Sequence, residues 1–566
     1  MRNKTIIFTL GICGIAQYSL AQPVPQVGSI VQSSPKPYQS NERKIEIVEE
    51  ENDKKAAVEK SYQNMQLEQG EIPLHSIQFQ HDLTLVSEEE LLDQVTEYYD
   101  RTYKLSELKS IADKLTLWLQ QEKGLVKAKA WIPLQEVQNG QLKINIQEGK
   151  RGAIRISNNL KDEKLERVSA QFASKFFEGQ DALEQRSLER FAYRLIDYLG
   201  QPVQLVLMPT KEIGVYDVLL HFDQQQNAFG SVTVDNVGSP YTNQWRDMST
   251  LYLMHPFGTA GQLTFSTQAL TEHQKTAYLR YQIPLLSSWK IGLEGQISDY
   301  ELCCEFTPLD IEGTSSNVGL DAFYTLIRSR ELSHWVGIRA NYWQGRSKAF
   351  DQVTSDRNIY SFTLENQIYW SNIADHSLQL QFTGGHATLD HAADQLMDRL
   401  TTRISGDFFK INSLYALRYP FLEKNQIYIN LNGQVSSKNL DSSEKISAGG
   451  LSGIRAYAYG EALSDSAILS QFEYRYHIFP SLSVGAFYDL GYVQRQRNAW
   501  ANMGFKNEYD LQGAGLKLQW KPHKSLDLQL LSAAQIGQNP NEDINGKDSD
   551  GKSQDIRTWF VGTWSF

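Results

Sequence analysis

A single arginine interrupts a run of small residues late in the chain. The run reads GGLSGIRAYAYGEALSDSA, from Gly449 to Ala467, and Arg455 lies in it between Ile454 and Ala456. A carboxylate follows in VGAFYDLGYV, where Asp489 alternates with Gly485, Phe487 and Gly491. Between the two, LSQFEYRYHIF sets Glu473 and Arg475 on one face and Phe472, Tyr474 and Tyr476 on the other. These groups offer charge pairing rather than bond breaking. His and Ser residues elsewhere fall on separate loops with no spacing that fixes a catalytic geometry, so no enzyme activity is expected. No GxxxxGK run followed by Ser or Thr is present to cradle a nucleotide. Cys303 and Cys304 adjoin in YELCCEF, and no Cys/His ligand spacing occurs, so neither a metal nor a cofactor is implied. The cysteine pair leaves a vicinal disulfide or pairing elsewhere open and reads as a local loop feature. The run NPNEDINGKDSDGKSQD spaces Asp and Asn like a calcium loop but lacks the full pattern, so it reads as a solvated surface loop.

The elements that must position these residues change character along the chain. Residues 22–40 are rich in Pro, Ser and Gln, and 41–71 are charged with little apolar content, which reads as a linker with a solvated helix. From 72 to 150 the pattern is β-α-α-β-β. HSIQFQ reads as a strand, VSEEELLDQVTEYYDRTY opens as a helix with Ser87 and three glutamates, LSELKSIADKLTLWLQQEKG has helical spacing ending on Gly124, and VKAKAWIPL and QLKINIQEG alternate as strands. Residues 151–226 repeat the same order with a different sequence. From 227 to 566 the helical period disappears and alternation takes over. Segments of about ten residues suit strands that cross a bilayer at a tilt. Short turns such as PFGT and PSLS alternate with long polar loops at 388–403 and 539–555, and about sixteen segments can be counted, an even number as a closed barrel requires.

The 566 residues carry a net charge of -11, which argues against nucleic acid as a partner. MRNK followed by TIIFTLGICGIA and the small-residue site SLA reads as a signal peptide over 1–21, whose removal would take Cys13 with it. The chain ends TWFVGTWSF, a terminal strand finishing on Phe566. Such an ending resembles the signal by which bacterial outer-membrane proteins reach their assembly machinery.

Taken in order, the signal peptide, the two β-α-α-β-β modules and the barrel resemble the two-partner secretion transporters, the TpsB branch of the Omp85 superfamily. That branch includes haemolysin activators and exporters of adhesins and contact-dependent growth inhibition toxins. The modules look like POTRA domains. The family's long sixth extracellular loop carries a Val/Ile-Arg-Gly-aromatic tip folded back into the barrel, matched here by Ile454, Arg455, Ala456 and Tyr457, preceded by Gly453. Its Gly-x-Phe-x-Asp-x-Gly strand is matched by Gly485, Phe487, Asp489 and Gly491, and its Glu-x-Arg pattern by Glu473 and Arg475. The resemblance implies that Arg455 pairs with Asp489 as a barrel lock. Asp489 would then face the lumen, where a carboxylate is tolerated at membrane depth. Ala456 departs from the family's glycine, which permits closer backbone approach.

The resemblance implies a fold of α+β POTRA modules followed by a 16-stranded antiparallel transmembrane β-barrel. The implied domains are 1–21 signal peptide, 22–71 plug helix and linker, 72–150 POTRA 1, 151–226 POTRA 2, and 227–566 barrel with an inward-folded loop at 447–467. The implied function is outer-membrane secretion, without ATP, of an unfolded exoprotein partner with an N-terminal secretion domain (type V secretion). The POTRA domains would lie in the periplasm, where exposed strand edges and helix–strand grooves would hold the partner as an extended peptide, with the second strand and second helix of each module, near Lys127–Ile132 and Val203–Met208, expected to carry this. Other implied partners are outer-membrane lipid and the assembly machinery that recognises Phe566, with the transporter itself a monomer. The alternatives are an assembly factor of the same superfamily and a passive porin.

Overall fold

The computed structural model describes residues 47–49, 71–158, 163–177, 182–199, 203–222, 228–257, 260–268, 273–285, 288–543 and 545–566. The expected signal peptide lies outside the described residues. So does the segment expected to plug the barrel, apart from 47–49 and 71. The chain divides into two compact units, of which one contains residues 41–226 and the other the barrel.

The first unit opens with β1 (Ile47–Glu49). It continues with β2 (Ile72–Leu74), β3 (Ser76–His81), α1 (Glu88–Asp93), β4 (Arg101–Tyr103), α2 (Leu105–Gln121), β5 (Lys129–Trp131) and β6 (Gln141–Gln147). Ser87 caps α1 through a reciprocal capping box with Glu90, the signal that the three glutamates announced. The helix is shorter than its sequence pattern. The chain leaves it after Asp93 for one tight helical turn at Thr96–Tyr98, and Asp100 then turns with φ 60°. Asp100 N–H donates to Leu74 O, and β4 pairs with β2. A local hairpin thus takes backbone that propensity alone assigns to a helix. One face of α2 buries Leu108, Ile111, Leu115 and Leu119 in one core with Ile77, Phe79, Leu142 and Ile144 of the sheet. The sheet order is β3-β6-β5, and the strand expected over VKAKAWIPL shrinks to three residues.

The second module holds β7 (Lys150–Asn158), α3 (Glu163–Phe176), α4 (Gln185–Leu199), β8 (Gln204–Pro209) and β9 (Val215–Phe222). Its core joins Phe191, Leu195 and Leu199 of α4 to Leu205, Leu207, Val218 and Leu220 of the sheet. The sheet order is β1-β8-β9-β7. The linker at Ile47–Glu49 is therefore a strand and not part of a solvated helix. Its two β-branched residues suit extended backbone, and the edge of β8 supplies the partner that sequence inspection cannot see.

Sixteen strands close the barrel, from β10 (Ala228–Asp235) to β25 (Ile556–Ser565), each antiparallel to the next. Closure joins β10 to β25, with Val232 opposite Trp564. Beyond the last strand residue, Phe566 and Gly230 exchange both backbone hydrogen bonds at 3.0 Å. No sheet edge is then left for lipid to face. The alternation resolves as the sequence implied. In β21 (Ser466–Phe479) Ile468, Phe472, Tyr474 and Tyr476 point outward and exposed, while Leu469, Gln471 and Glu473 are buried inward. In β22 (Leu482–Gln494) Tyr488, Leu490 and Tyr492 are outward, and Phe487 and Asp489 inward. An outer apolar band with a polar interior is the pattern of a barrel solvated by lipid outside and water within. No helix among the described residues is long and apolar enough to cross a membrane.

Two local expectations are corrected. The eighth loop, 536–555, is not wholly solvated. Asp548 and Asp550 are buried against Arg557 at 2.6 Å each, because Arg557 projects inward from β25 and draws the acids down. The long loop begins after β20 (Asn425–Ser436) and ends before Ser466, so it spans 437–465 rather than 447–467. Cys303 and Cys304 are bonded to each other.

Closure at Gly230 is testable. A Cβ there would lie 2.4 Å from Thr250 O and 2.8 Å from the Phe566 ring. Gly230→Val should lower the temperature at which the folded, heat-modifiable band unfolds on a gel, on the scale of overpacking, about 1–3 kcal/mol. An unchanged transition would mean that this seam does not limit barrel stability.

Candidate functional site

The loop at 437–465 turns inward, and its tip meets β21, β22, β25 and β23 (Glu508–His523). Gly450 starts the turn with φ 94°, and backbone bonds from Ile454 N to Ala448 O (2.7 Å) and from Tyr457 N to Ile454 O (3.1 Å) tighten it. Ile454, Ala456 and Tyr457 are buried in one cluster with Leu469, Phe487, Leu511 and Trp559. The tip is therefore packed like a protein core inside the barrel.

Arg455 is buried, with its side chain 5% exposed. Its Nε and Nη2 donate to the two oxygens of Asp489 at 2.9 and 2.7 Å, a bidentate fork, and its backbone N–H donates to Asp489 Oδ2 at 2.9 Å. Nη1 donates to Glu473 Oε2 at 2.7 Å. The guanidinium carbon stacks over the Phe487 ring, 3.6 Å from its centroid. Glu473 is shared, because Arg475 Nη2 donates to its other oxygen at 2.5 Å and Lys517 Nζ lies 3.9 Å away. Three cations thus surround two carboxylates. Removing one partner of such a buried pair typically costs about 3–5 kcal/mol, since the other charge is left uncompensated.

The residues singled out in the sequence mostly converge. Gly453, Ile454, Arg455, Ala456 and Tyr457 form the tip, Phe487 and Asp489 form its floor, and Gly491 leaves room for Ile454, whose Cδ1 would lie 3.2 Å from a Cβ there. Arg475 and Gly485 lie further toward the short turn at 480–481 that joins their strands. Arg475 reaches the site through Glu473, and its guanidinium also stacks on Tyr428 at 4.2 Å. Gly485 borders Glu473 without touching the tip.

Three contributors escaped sequence reading. Gln471 Nε2 donates to Leu451 O (2.9 Å) and Gly453 O (2.7 Å), and Trp559 Nε1 donates to Arg455 O (2.7 Å). Gly513 lies directly opposite the tip, and a Cβ on it would sit 2.5 Å from the Ala456 Cβ. This explains Ala456. Its φ is not positive, so nothing in the backbone demands glycine there, and the close approach is provided by the glycine on the wall instead. The signals were faint. Gln471 shares the inward face of Glu473, whereas Trp559 and Gly513 are brought near only by barrel register.

The rest of the loop is riveted to its neighbours. Asp465 accepts from Leu440 N and, in the seventh loop, from Arg497 N. Glu461, wholly buried, accepts from Asn541 Nδ2 at 2.6 Å and Ser549 N at 3.0 Å in the eighth loop. Burial, aided by nearby Asp548, pushes the Glu461 carboxyl up from the usual carboxylate range.

Comparison with known proteins gives one consistent picture. Residues 214–518 match the family described as haemolysin secretion/activation protein ShlB/FhaC/HecB. Residues 72–149 match the ShlB-type POTRA domain. The chain is 27% identical over 451 residues to the heme/hemopexin transporter protein HuxB of Haemophilus influenzae, covering 76% of this chain and 78% of HuxB. It is 23% identical over 405 residues to the outer membrane transporter CdiB of Dickeya dadantii, covering 68% of each. In fold it is similar to CdiB from Escherichia coli, with a TM-score of 0.66 and 16% identity over 89% of this chain and 92% of that one.

Two outcomes follow from the geometry. Gly513→Ala should drive the tip off the wall and destabilise the barrel by about 1–3 kcal/mol, and adding Ala456→Gly should recover most of the loss. Equal destabilisation in the single and double variants would refute the contact. The raised Glu461 carboxyl binds its proton more tightly in the folded chain than in the unfolded one. Its contribution is thus full at low pH and lost as pH rises through the raised value. Lowering the pH should therefore raise the temperature at which the barrel unfolds, and Glu461→Gln should remove that part of the dependence.

Proposed function

We propose, because the chain belongs to the haemolysin secretion/activation protein family of ShlB, FhaC and HecB, that its inward-folded sixth loop is the lock of an export channel. Membership makes it a two-partner secretion transporter of the outer membrane, with its POTRA domains in the periplasm. It takes an unfolded exoprotein partner at the POTRA domains and secretes it through the barrel without ATP.

Within that function, Arg455 and Asp489 hold the loop tip at rest, and Glu473 ties the pair to Arg475. The observation that carries this reading is the Arg455 guanidinium, buried inside the barrel and satisfied on Nε, Nη1 and Nη2 by two wall carboxylates. A buried ion pair specifies one loop position more than it adds stability. It suits a seal that must be specific and still yield to a passing chain. A segment within residues 22–70 serves as a second plug. Residues 1–21 direct export, the domains follow the boundaries given above, Phe566 is read by the assembly machinery, and the outer band of the barrel meets lipid. The transporter works as a monomer and carries out no catalytic step. HuxB, named for heme and hemopexin, is the more similar of the two curated relatives, so a haem-acquisition exoprotein is the first cargo to test.

Arg455→Ala and Asp489→Ala should each cut export of the cognate partner by ~5–150-fold, the span of typical coupling energies, while folded barrel persists in the membrane. Normal export from both variants would refute the lock. Deletion of residues 22–70 should raise single-channel conductance in planar bilayers, and an unchanged conductance would remove the second plug.

A further inference from the structure

Cys303 and Cys304 take no part in the lock, yet they sit where two loops meet. The third loop, 302–310, joins β14 (Trp289–Glu301) to β15 (Ile311–Arg328), and the first, 236–245, joins β10 to β11 (Arg246–Met254). Strands alternate in direction, so the loops after β10, β14 and β20 share one end of the barrel, opposite the end where the chain enters at Ala228. With the POTRA domains in the periplasm, that end faces out of the cell. Disulfides persist there.

The third loop is strapped to the first at the cysteines themselves. Cys303 N–H donates to Tyr241 O at 2.8 Å, and the two sulfurs lie 3.5 and 3.7 Å from Pro240 O. Alongside, Phe306 meets Tyr241 edge-on with ring centroids 5.0 Å apart, in a core shared with Tyr300, Leu302 and Ile311. The disulfide closes a small ring over the Cys303–Cys304 peptide and so restricts the backbone at the point where the strap is made. Cys304 takes φ 67°, a region that few residues other than glycine, asparagine and aspartate enter. Opened, the pair would lose that restriction and keep only weak S–H bonds to Pro240 O.

The two sulfurs differ in access, for Cys304 is exposed and Cys303 half-buried. A thiolate arriving from solvent therefore attacks Cys304 Sγ. The S–S bond breaks, a mixed disulfide forms at Cys304, and the electron pair leaves on Cys303 Sγ as a thiolate. A second external thiolate attacks the external sulfur of that mixed disulfide, which releases an external disulfide and leaves Cys304 as a thiolate. Both cysteines then take a proton, so two external thiols are oxidised and one protein disulfide is reduced. Charge selects the thiol. Residues 299–313 include Asp299, Glu301, Glu305, Asp310 and Glu312 and no lysine or arginine. Lys348 pairs with Glu312 at 2.6 Å, and Lys275 is opposite Asp299 in the sheet. Glu301, Glu305 and Asp310 still flank the cysteines, a field that draws a cationic thiol and repels an anionic one.

We propose that the Cys303–Cys304 disulfide is a reversible modification site on the outer face of the transporter, opened by small cationic or uncharged thiols, and that while closed it holds the third loop against the first.

The test uses the full chain in detergent, with alkylating label counted on the peptide that carries residues 303 and 304. Unreduced protein should take up no label there even when denatured, and reduced protein should take up label on both cysteines. At equal thiolate concentration and low salt, cysteamine should open the disulfide of the folded protein at least about tenfold faster than 2-mercaptoethanesulfonate, with 2-mercaptoethanol between them. About 1 M salt should narrow the spread. Cystamine should form a mixed disulfide with Cys303→Ser, which keeps the exposed sulfur, at least about tenfold faster than with Cys304→Ser. Reduction should accelerate amide exchange at Cys303 and Phe306 at least about tenfold and leave Val318–Leu320 of β15 unchanged. Free thiols in the unreduced protein would overturn the proposal, and so would a disulfide that no thiol opens before the barrel unfolds. Equal rates for the cationic and anionic thiols, equal reactivity of the two serine variants, or unchanged exchange after reduction would overturn it as well. None of these readouts depends on export.

Discussion

A guanidinium buried inside a barrel must find acceptors or the loop that carries it cannot stay. Arg455 finds them on two adjacent strands, and most of the interior is arranged around that requirement. Asp489 lies near the middle of β22, on the only face where a carboxylate can be kept at that depth. Glu473 is placed by the antiparallel register of β21 against β22, which sets it opposite Phe487, two residues from Asp489. Phe487 supplies the face on which the guanidinium rests, and Trp559 takes up the arginine's own carbonyl. The small residues of the tip are then a steric consequence. A loop that must reach the wall of a narrow lumen cannot carry bulk on the side that touches it.

The same constraint explains how the tip tolerates Ala456. Space at a contact belongs to the pair of surfaces and not to one residue. Here the loop keeps a methyl group and the wall strand gives up its own at Gly513. A motif read along one segment registers the alanine as a departure. The barrel, which brings residues 456 and 513 together, shows that the contact is complete.

How much was legible follows from this. Alternation with period two is local, so the strands and their two faces could be read directly, while the barrel had to be inferred from segment length, the alternation of short turns with long loops and the even count. Helices with strong apolar periodicity, such as α2 and α4, were equally plain. Arg455 and Asp489 stood out because each is a lone charge in a small or apolar setting, and the family resemblance joined them. Gln471, Gly513 and Trp559 did not stand out, since their role depends on which strands adjoin after closure. The strand at Ile47–Glu49 was missed for a related reason. Three residues in an acidic stretch carry almost no signal until the edge of β8, more than 150 residues later in the chain, offers them a partner. The two units therefore manage strand edges in opposite ways. The barrel has none, because lipid cannot satisfy them. The POTRA modules keep edge strands, β3 and β5 in one sheet and β1 and β7 in the other.

The central claim is that Arg455 and Asp489 act as one unit that fixes the loop tip inside the barrel. A double-mutant cycle tests it most directly, with barrel unfolding measured in detergent for Arg455→Ala, Asp489→Ala and the two combined. The account predicts strong coupling. Each single variant strands a buried charge, so the combined variant should be little worse than either alone, with an interaction about as large as one single loss, on the order of 3 kcal/mol. Two independent, additive losses would contradict it.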